Sequence, residues 1–215
     1  MLYPRRDLYE CFDAQWQRQA QRLYLHCPRG DRPYAGGGGR LVRNIPAGPA
    51  PIRDCIGCGQ CTEHGCIFTD DAVNAFIEKA RHADGFVFGT PVYYAHPSGR
   101  VLSFLDRVFY SAGHVFAYKP GAAVASARRA GTTASLDALQ KYFGISQMPT
   151  IGSTYWNMVH GNRPEEVALD AEGLQTMRNI GHNLAWMLKC LQAGKEAGLS
   201  LPKTERGSRT NFIRP

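Results

Sequence analysis

Residues 83–107 read ADGFVFGTPVYYAHPSGRVLSFLDR, and they contain the clearest indication of the fold class in the sequence. Its first part, GFVF, is a short strand-like run that is apolar throughout, and the sequence Gly89-Thr90-Pro91 ends it. A second run, GRVLSFLDRVFY, begins inside the stretch and has its apolar residues at helical spacing. A strand, a loop and a helix in this order predict one β–α unit of a parallel sheet.

The same unit recurs along the chain. RLVRNI (40–45) is a strand-like run, KPGAAVASARRAGTT (119–133) predicts a strand and loop, and TASLDALQKYFG (133–144) predicts a helix. MPTIGSTYW (148–156) predicts a further strand, and a last long helix is expected from about residue 165 to residue 195. Because the strands are apolar throughout, helices are expected on both faces of the sheet. The expected fold class is therefore α/β, an open parallel sheet in a three-layer α/β/α arrangement.

Three segments are expected: an atypical N-terminal segment (1–39), an α/β domain (40–202) and a basic tail (203–215). The first contains PYAGGGGR, which is expected to be loop because four successive glycines lose too much backbone entropy on ordering. The net charge is +7, from 25 Lys and Arg against 18 Asp and Glu. Since no zinc-finger, RRM or helix-turn-helix signature accompanies this charge, an anionic cofactor is a better expected partner than nucleic acid.

The sequence also bears on location. No apolar run approaches the roughly 18 residues that span a membrane, and the N-terminus lacks the apolar core of a signal peptide. An odd number of cysteines, seven, with four crowded together fits a reducing compartment better than a disulfide scaffold. We therefore expect a cytoplasmic protein without a membrane partner.

Three loops are expected at the carboxyl ends of the strands, where open α/β sheets bind ligands: residues 90–94, 126–132 and 154–157. The first offers backbone N–H groups and two tyrosine rings, which suit a planar heteroaromatic ligand. The second offers small residues and two arginines, which suit a phosphate or a reduced, anionic ring. The alternative is ordinary turns with surface tyrosines and solvated arginines, and His114 and His160 are expected to be structural.

A compact cysteine cluster lies in IRDCIGCGQCTEHGCIFTDD (52–71), and a helix with Thr69 as its N-cap is expected to follow it. The spacing C-x2-C-x2-C-x4-C is close to the ferredoxin-type C-x2-C-x2-C-x3-C-P, with one residue more in the last gap. Three interpretations stay open: a 4Fe–4S cluster, a tetrahedral zinc site, or thiols without a metal. Glu63 and His64 are expected to form an exposed polar hairpin. The candidate metal ligands are Cys55, Cys58, Cys61 and Cys66.

Together, CIGCGQC, ADGFVFGTPVYYAHPSGRVLSFLDR, KPGAAVASARRAGTT and GSTYWNMVHG resemble the NADPH-dependent FMN reductase family of flavodoxin-like proteins, near its iron–sulfur flavoprotein branch. The resemblance covers roughly residues 40–215. It implies a five-stranded parallel sheet in flavodoxin order, a homodimer or tetramer, and FMN at the strand ends. It also implies a set of cofactor-binding residues in the first two loops: Thr90, Pro91, Val92, Tyr93, Tyr94, Ser126, Ala127, Arg128 and Gly131.

The N-terminal segment departs from this family. Members normally open with a strand and a loop whose backbone N–H groups hold the FMN phosphate at a helix N-terminus. Here LYLHCPRGDR contains a short apolar run, but no helix is expected to follow it. The first strand and the phosphate loop are therefore expected to be degenerate or missing, as a truncated or out-of-frame gene start would produce. If the segment is genuine, we expect FMN to bind much more weakly than in the family.

The resemblance implies an enzyme that transfers hydride from NAD(P)H to FMN, and then electrons to a small-molecule acceptor. No catalytic side chain is named, because the flavin supplies the chemistry. One alternative is an iron–sulfur flavoprotein that receives electrons from a ferredoxin through a 4Fe–4S cluster. A second alternative is a non-catalytic remnant with impaired cofactor binding.

Overall fold

The computed structural model of the chain describes the backbone of residues 22–27 and 41–46, and residues 50–208, 210 and 212. Most of the predicted N-terminal segment and the end of the predicted tail lie outside the described residues. The strands are β1 (Arg22–Cys27), β2 (Leu41–Pro46), β3 (Gly85–Tyr93), β4 (His96–Pro97), β5 (Gly121–Ala127) and β6 (Met158–His160). The α-helices are α1 (Ala72–Arg81), α2 (Gly99–Ala112), α3 (Thr132–Ile145), α4 (Pro164–Val167) and α5 (Ala171–Glu196), and a 3-10 turn covers Gly113–Phe116.

The strands form one sheet in the order β2-β1-β3-β5-β6, and the short β4 pairs with the end of β3. β3, β5 and β6 run parallel, with Phe86 opposite Gly121 and Ala125 opposite Met158. Their carboxyl ends therefore meet at one edge of the sheet, which we call the ligand edge. β5 is buried along its whole length, as expected for a strand covered on both faces.

Helices cover both faces of the sheet and enclose two apolar cores. One core joins α1, α2 and α3 to residues such as Phe86 and Phe88 of β3, and the other joins α4 and α5 to Val87 and Val124. Successive residues of β3 thus point to opposite faces, as the two-residue period of a strand requires. The flavodoxin-like α/β fold class and its three layers are confirmed.

At the other side of the sheet, the structure corrects the prediction of a five-stranded parallel sheet, because β1 pairs antiparallel with both β2 and β3 and the sheet is therefore mixed. β1 lies next to β3, but it runs antiparallel, with Leu23 opposite Phe88 and His26 opposite Gly85. Its carboxyl end therefore lies at the edge opposite the ligand edge. This direction fits the expectation of a degenerate first strand, whereas the expectation for the phosphate loop falls on residues 28–40, which lie outside the described residues.

Three elements differ locally from the predictions. β3 continues past Pro91 to Tyr93, because its end pairs with β4. The helix expected after Thr69 begins at Ala72, with the Asp71 carboxylate accepting from Val73 N at 3.0 Å. The last helix is divided: α4 ends at Val167, and α5 starts after Asp170, which caps it by accepting from Gly173 N at 2.8 Å.

Within the described residues, no helix has both the length and the apolar character needed to cross a membrane. The expected cytoplasmic location and the three segment boundaries stay predictions.

Candidate functional site

Two of the three predicted loops meet at the ligand edge. Pro91 of β3 lies opposite Ser126 of β5, so the ends of these strands are direct neighbours. Thr90, Ser126 and Ala127 are buried. The Thr90 hydroxyl donates to the Pro91 carbonyl at 2.8 Å and accepts from Ser98 N at 3.0 Å. Thr90 therefore joins β3 to the N-cap of α2, while Val92 packs against the apolar core.

Tyr94 and Ala95 form the tip of the hairpin that joins β3 to β4. Tyr93 pairs with His96, so only these two residues make the turn, and their φ angles are 51° and 59°. Such a turn normally uses Asn-Gly, because other residues pay a steric cost at positive φ. Conformations of this kind cost about 1–3 kcal/mol each and cluster at functional sites. The Tyr93 and Tyr94 side chains are both exposed at the ligand edge.

Gly131 joins the second loop to this hairpin. It is the residue before α3, its φ is +92°, and a Cβ on it would lie 2.3 Å from the Cα of Ala95. Only a glycine combines this backbone angle with this close approach. Gly131 therefore permits the close approach of the hairpin tip to the start of α3.

His160, which the sequence predicts to be structural, lies at the ligand edge and contacts protein groups. It ends β6 beside Ala127, and its Nε2 lies 3.1 Å from the Arg129 carbonyl oxygen. The backbone N of His160 donates to Asp170 at 2.7 Å. An open cleft next to it is lined by Arg128, His160, Gly161, Asn162, Glu166, Leu169 and Asp170. The sequence signal for this position is the short strand Met-Val-His, because its carboxyl end lies at the ligand edge.

The third predicted loop does not lie where the sequence analysis placed it. A parallel bridge joins Gly121 to Thr150, the chain then leaves the sheet, and it returns as β6 at Met158. Tyr155 and Trp156 therefore precede the strand instead of following its carboxyl end. Their rings contact each other edge to face, with centroids 4.7 Å apart, and both are exposed.

The ligand edge carries aromatic, small and cationic residues. Two exposed tyrosines, the small residues Ala127 and Gly131, and the exposed cation Arg128 surround it. Aromatic rings and backbone groups at strand ends suit a planar heteroaromatic ligand, and a cation suits its anionic form. The carboxyl end of β1 lies at the opposite edge of the sheet, and residues 28–40, which follow it, lie outside the described residues.

The four clustered cysteines line one small cavity of ≈ 10 Å³. Thr62 and Gly65 exchange two backbone hydrogen bonds of 3.0 and 3.1 Å, so Glu63 and His64 form the exposed hairpin that the sequence predicts. The cavity is lined by Cys55, Cys58, Cys61 and Cys66, together with Ile56, Gly59, Phe68, Arg107 and Tyr110.

Arg107 connects this cavity to α2. Its side chain is 1% exposed, and it forms a buried ion pair with Asp71. Its Nε donates to Cys66 Sγ at 3.3 Å. Its two terminal nitrogens donate to the carbonyls of Arg53 at 3.2 Å and Phe68 at 3.1 Å. Burial opposes the charged form, but the hydrogen bonds to Asp71 and Cys66 hold the pKa of Arg107 above its ordinary value.

The thiols are close enough to influence one another. Burial raises the pKa of the Cys61 thiol, and the other three cysteines raise it further by charge repulsion. Four thiolates around one cavity therefore repel, and a bound cation relieves that repulsion.

A set of four thiols is the donor set that iron–sulfur clusters and tetrahedral zinc use. In the described residues, no three His, Cys, Asp or Glu side chains come together closely enough to hold a metal ion. The structure thus brings the predicted ligands to one cavity without bringing their side chains to coordination distance.

Comparison with known families gives a match over more than half of the chain. Residues 42–163 match the sequence model of the family described as NADPH-dependent FMN reductase. This range contains the cysteine loop, both loops of the ligand edge and His160.

Curated relatives point to the same branch. The chain is 31% identical over 150 residues to an iron-sulfur flavoprotein of Methanocaldococcus jannaschii, covering 66% of this chain and 77% of the relative. It is 28% identical over 167 residues to a second iron-sulfur flavoprotein of that organism, covering 70% of this chain and 83% of the relative. It is 26% identical over 150 residues to the iron-sulfur flavoprotein of Methanosarcina thermophila, covering 67% of this chain and 77% of the relative.

Among solved structures, the chain is similar to a flavodoxin, WrbA-like protein from Agrobacterium tumefaciens, with a TM-score of 0.46 and 19% identity, over 53% of this chain and 71% of that one. It is also similar to the Trp repressor binding protein from Bacillus subtilis, with a TM-score of 0.42 and 19% identity, over 51% of this chain and 70% of that one.

Proposed function

We propose, on the premise that the chain belongs to the NADPH-dependent FMN reductase family, that it binds FMN at the ligand edge and a 4Fe–4S cluster at its four clustered cysteines. Membership of the family makes it a flavin-dependent oxidoreductase. The finer statement rests on one observation: four thiols and a buried arginine surround a single cavity. The relatives named iron-sulfur flavoproteins support it.

The residues of the ligand edge would bind and orient the flavin ring. When bound, FMN supplies the electron and hydride chemistry of the site. Tyr93 and Tyr94 would lie against the ring, and the cation of Arg128 would stabilise its reduced, anionic form. Gly131 holds the hairpin and α3 at the spacing shown by its contact with Ala95.

The cysteine loop would hold the cluster. When bound, such a cluster supplies one-electron transfer at a potential that its surroundings set. Cys55, Cys58, Cys61 and Cys66 would each provide a thiolate. The N-terminal turn of α1 and the middle of α2 support the loop through Asp71 and Arg107.

Direct reduction by NAD(P)H is a second candidate function, and one observation favours it. The open cleft beside His160 and Arg128 borders the loop assigned to the flavin, which leaves room for a nicotinamide ring. A small-molecule electron acceptor and a homodimer or tetramer stay predictions from the sequence.

The first experiment is anaerobic purification followed by absorption spectroscopy, with iron, acid-labile sulfide and acid-released flavin assayed on the same sample. The proposal predicts flavin bands over a broad brown absorbance that dithionite bleaches, with about four irons per chain. A yellow protein without iron would retire the cluster and leave a simple FMN reductase. A colourless protein would support the remnant alternative.

A pair of cysteine variants sharpens this experiment. Cys58→Ser removes one exposed thiol from the cavity, whereas Cys190→Ser removes an exposed thiol from α5. We expect Cys58→Ser to lose most of the iron and Cys190→Ser to keep it. Equal iron contents in the two variants would contradict the assignment of the cysteine ligands.

The nicotinamide step has its own test. Anaerobic mixing with NADH or NADPH should bleach the flavin bands if either is the direct donor. If neither does, while reduced ferredoxin does, the cluster is the entry point for electrons. The two candidate functions are thereby separated.

A further inference from the structure

Arg107 is the largest of the fully buried side chains in the described residues, although it carries a full charge. Taking a charge out of water costs several kcal/mol even after relaxation. A buried ion pair can often be replaced by apolar residues of similar volume with little loss, or with a gain, in stability. The ion pair with Asp71 therefore does not by itself explain why an arginine occupies this position. The other contacts of Arg107 give a more specific reason.

The guanidinium of Arg107 is held on every side. Its terminal nitrogens bind Asp71 and the carbonyls of Arg53 and Phe68, so its plane cannot turn. Nε is the remaining nitrogen, and it lies 3.3 Å from Cys66 Sγ. When the other donors of a planar guanidinium are fixed, its remaining N–H is oriented more firmly than the N–H groups of a flexible lysine ammonium. The direction of the Nε–H bond toward the sulfur is thus imposed by the three other contacts.

Cys66 is also held from the opposite direction. The Asn74 side chain accepts from Cys66 N at 2.9 Å and donates to the Cys66 carbonyl at 2.7 Å. Gly65, at φ +130°, permits this approach, because a Cβ there would lie 2.5 Å from Asn74 Oδ1. Backbone and sulfur of Cys66 are therefore both fixed by residues of α1 and α2 that lie outside the cysteine loop.

Resting on the cluster proposed above, we infer that Arg107 is a positioning residue that aims the Cys66 sulfur at the cluster and raises the cluster's reduction potential. One-electron reduction adds a negative charge to the cluster while the four cysteines stay deprotonated. A fixed N–H donor and a buried positive charge both favour the form with more negative charge. Groups that bind ligand atoms from outside commonly orient and tune metal centres in this way.

Three variants test the inference. Arg107→Gln removes the positive charge and the planar guanidinium with its N–H donors. Arg107→Lys keeps a positive charge beside Asp71, but an ammonium cannot span Asp71 and Cys66 together. Arg53→Gln is the matched control: Arg53 and Arg107 lie over the same Phe68 ring, at 5.3 and 5.4 Å, but the Arg53 side chain is exposed and pairs with Asp70.

The readouts are iron content, far-UV circular dichroism and the midpoint potential of the cluster, measured by anaerobic titration. We expect both Arg107 variants to lower the equilibrium constant for reduction at least tenfold, which is about 59 mV for one electron, and Arg53→Gln to change it less than threefold. Loss of iron from a folded Arg107→Lys chain also supports positioning. Equal potentials in Arg107→Lys and wild type overturn the inference, as does failure of both Arg107 variants to fold, which shows a structural role only. A wild-type chain that takes up no iron overturns the proposed cluster and this inference with it.

Discussion

Gly131 and Ala95 approach so closely that a Cβ on Gly131 would lie 2.3 Å from the Cα of Ala95 and 2.8 Å from its carbonyl carbon. The contact joins the start of α3 to the hairpin that presents Tyr93 and Tyr94. Both atoms belong to backbone, so no side-chain rotation can relieve a clash there. The spacing of the proposed flavin loops therefore depends on one glycine.

We predict that Gly131→Ala weakens flavin binding and lowers the free energy of unfolding by about 1–3 kcal/mol, since it combines a backbone clash with a strained φ. Gly144→Ala is the control in the same helix, where a Cβ meets nothing within 4 Å. That change should be neutral or stabilise by up to about 1 kcal/mol. Urea unfolding and flavin fluorescence titration measure both effects, and identical results for the two variants would count against the contact.

At the Tyr94-Ala95 turn, we predict that substitutions which increase the free energy of unfolding will weaken flavin binding. Replacing Tyr94 by Asn and Ala95 by Gly installs the residues that this turn prefers. We expect the double variant to unfold at higher urea, with a gain of about 1–2 kcal/mol, and to bind flavin more weakly because the Tyr94 ring is gone. If it gains stability and keeps wild-type flavin affinity, Tyr94 has no role at the ring.

Single tyrosine variants separate ring contacts from general damage. Tyr93→Ala and Tyr94→Ala each remove an exposed ring, so the fold should persist while the flavin Kd rises about tenfold, as expected for loss of about 1–2 kcal/mol of stacking. His114→Ala changes an exposed residue of the 3-10 turn and should leave the Kd unchanged. The flavin content of the purified chains gives a first measurement, and an equal loss in all three would sink the assignment.

Residues with strong local signals were predictable from sequence. The apolar runs of β3 and β5 and the helix-period run of α2 gave the parallel core and both loops at the ligand edge. The polar tip Glu63-His64 between clustered cysteines gave the hairpin, which the structure confirms. In each case a period or a turn signal acts within about a dozen residues, which is the range over which sequence patterns are informative.

The remaining features depend on long-range pairing or break a local rule. The direction of β1 follows from its pairing with β2 and β3, which no apolar period reports. The two-residue turn at Tyr94-Ala95 lacks the Asn-Gly signal. Arg107 lies within an amphipathic helix, where a charged residue is expected to face solvent, and its burial follows from a partner 36 residues away, Asp71.

Tyr142 gives a pH-dependent prediction. Burial raises its pKa above the ordinary value of 10.0, and the hydrogen bond that its hydroxyl donates to Asp106 raises this pKa further. Above pH 10 the unfolded chain releases this proton while the folded chain keeps it, so stability falls as pH rises, by up to about 1.4 kcal/mol per unit. Tyr142→Phe lacks this dependence. Wild type should exceed the variant in urea stability at pH 8, and the difference should shrink between pH 10 and 12; a constant difference would contradict the pKa shift.

The reversed direction of β1 predicts poor discrimination between FMN and riboflavin. His26 near its carboxyl end lies opposite Gly85, the first residue of β3, so a loop after β1 starts far from the ligand edge. A phosphate held at a helix N-terminus gains charge-assisted hydrogen bonds of about 1.5–3 kcal/mol each, or more than tenfold in affinity. We predict that no such loop holds the phosphate, so that the Kd values for FMN and riboflavin agree within about threefold in fluorescence titrations at equal ionic strength. A preference for FMN above about thirtyfold would require another phosphate site, and raising the salt concentration would show whether Arg128 supplies it, because that exposed cation is screened.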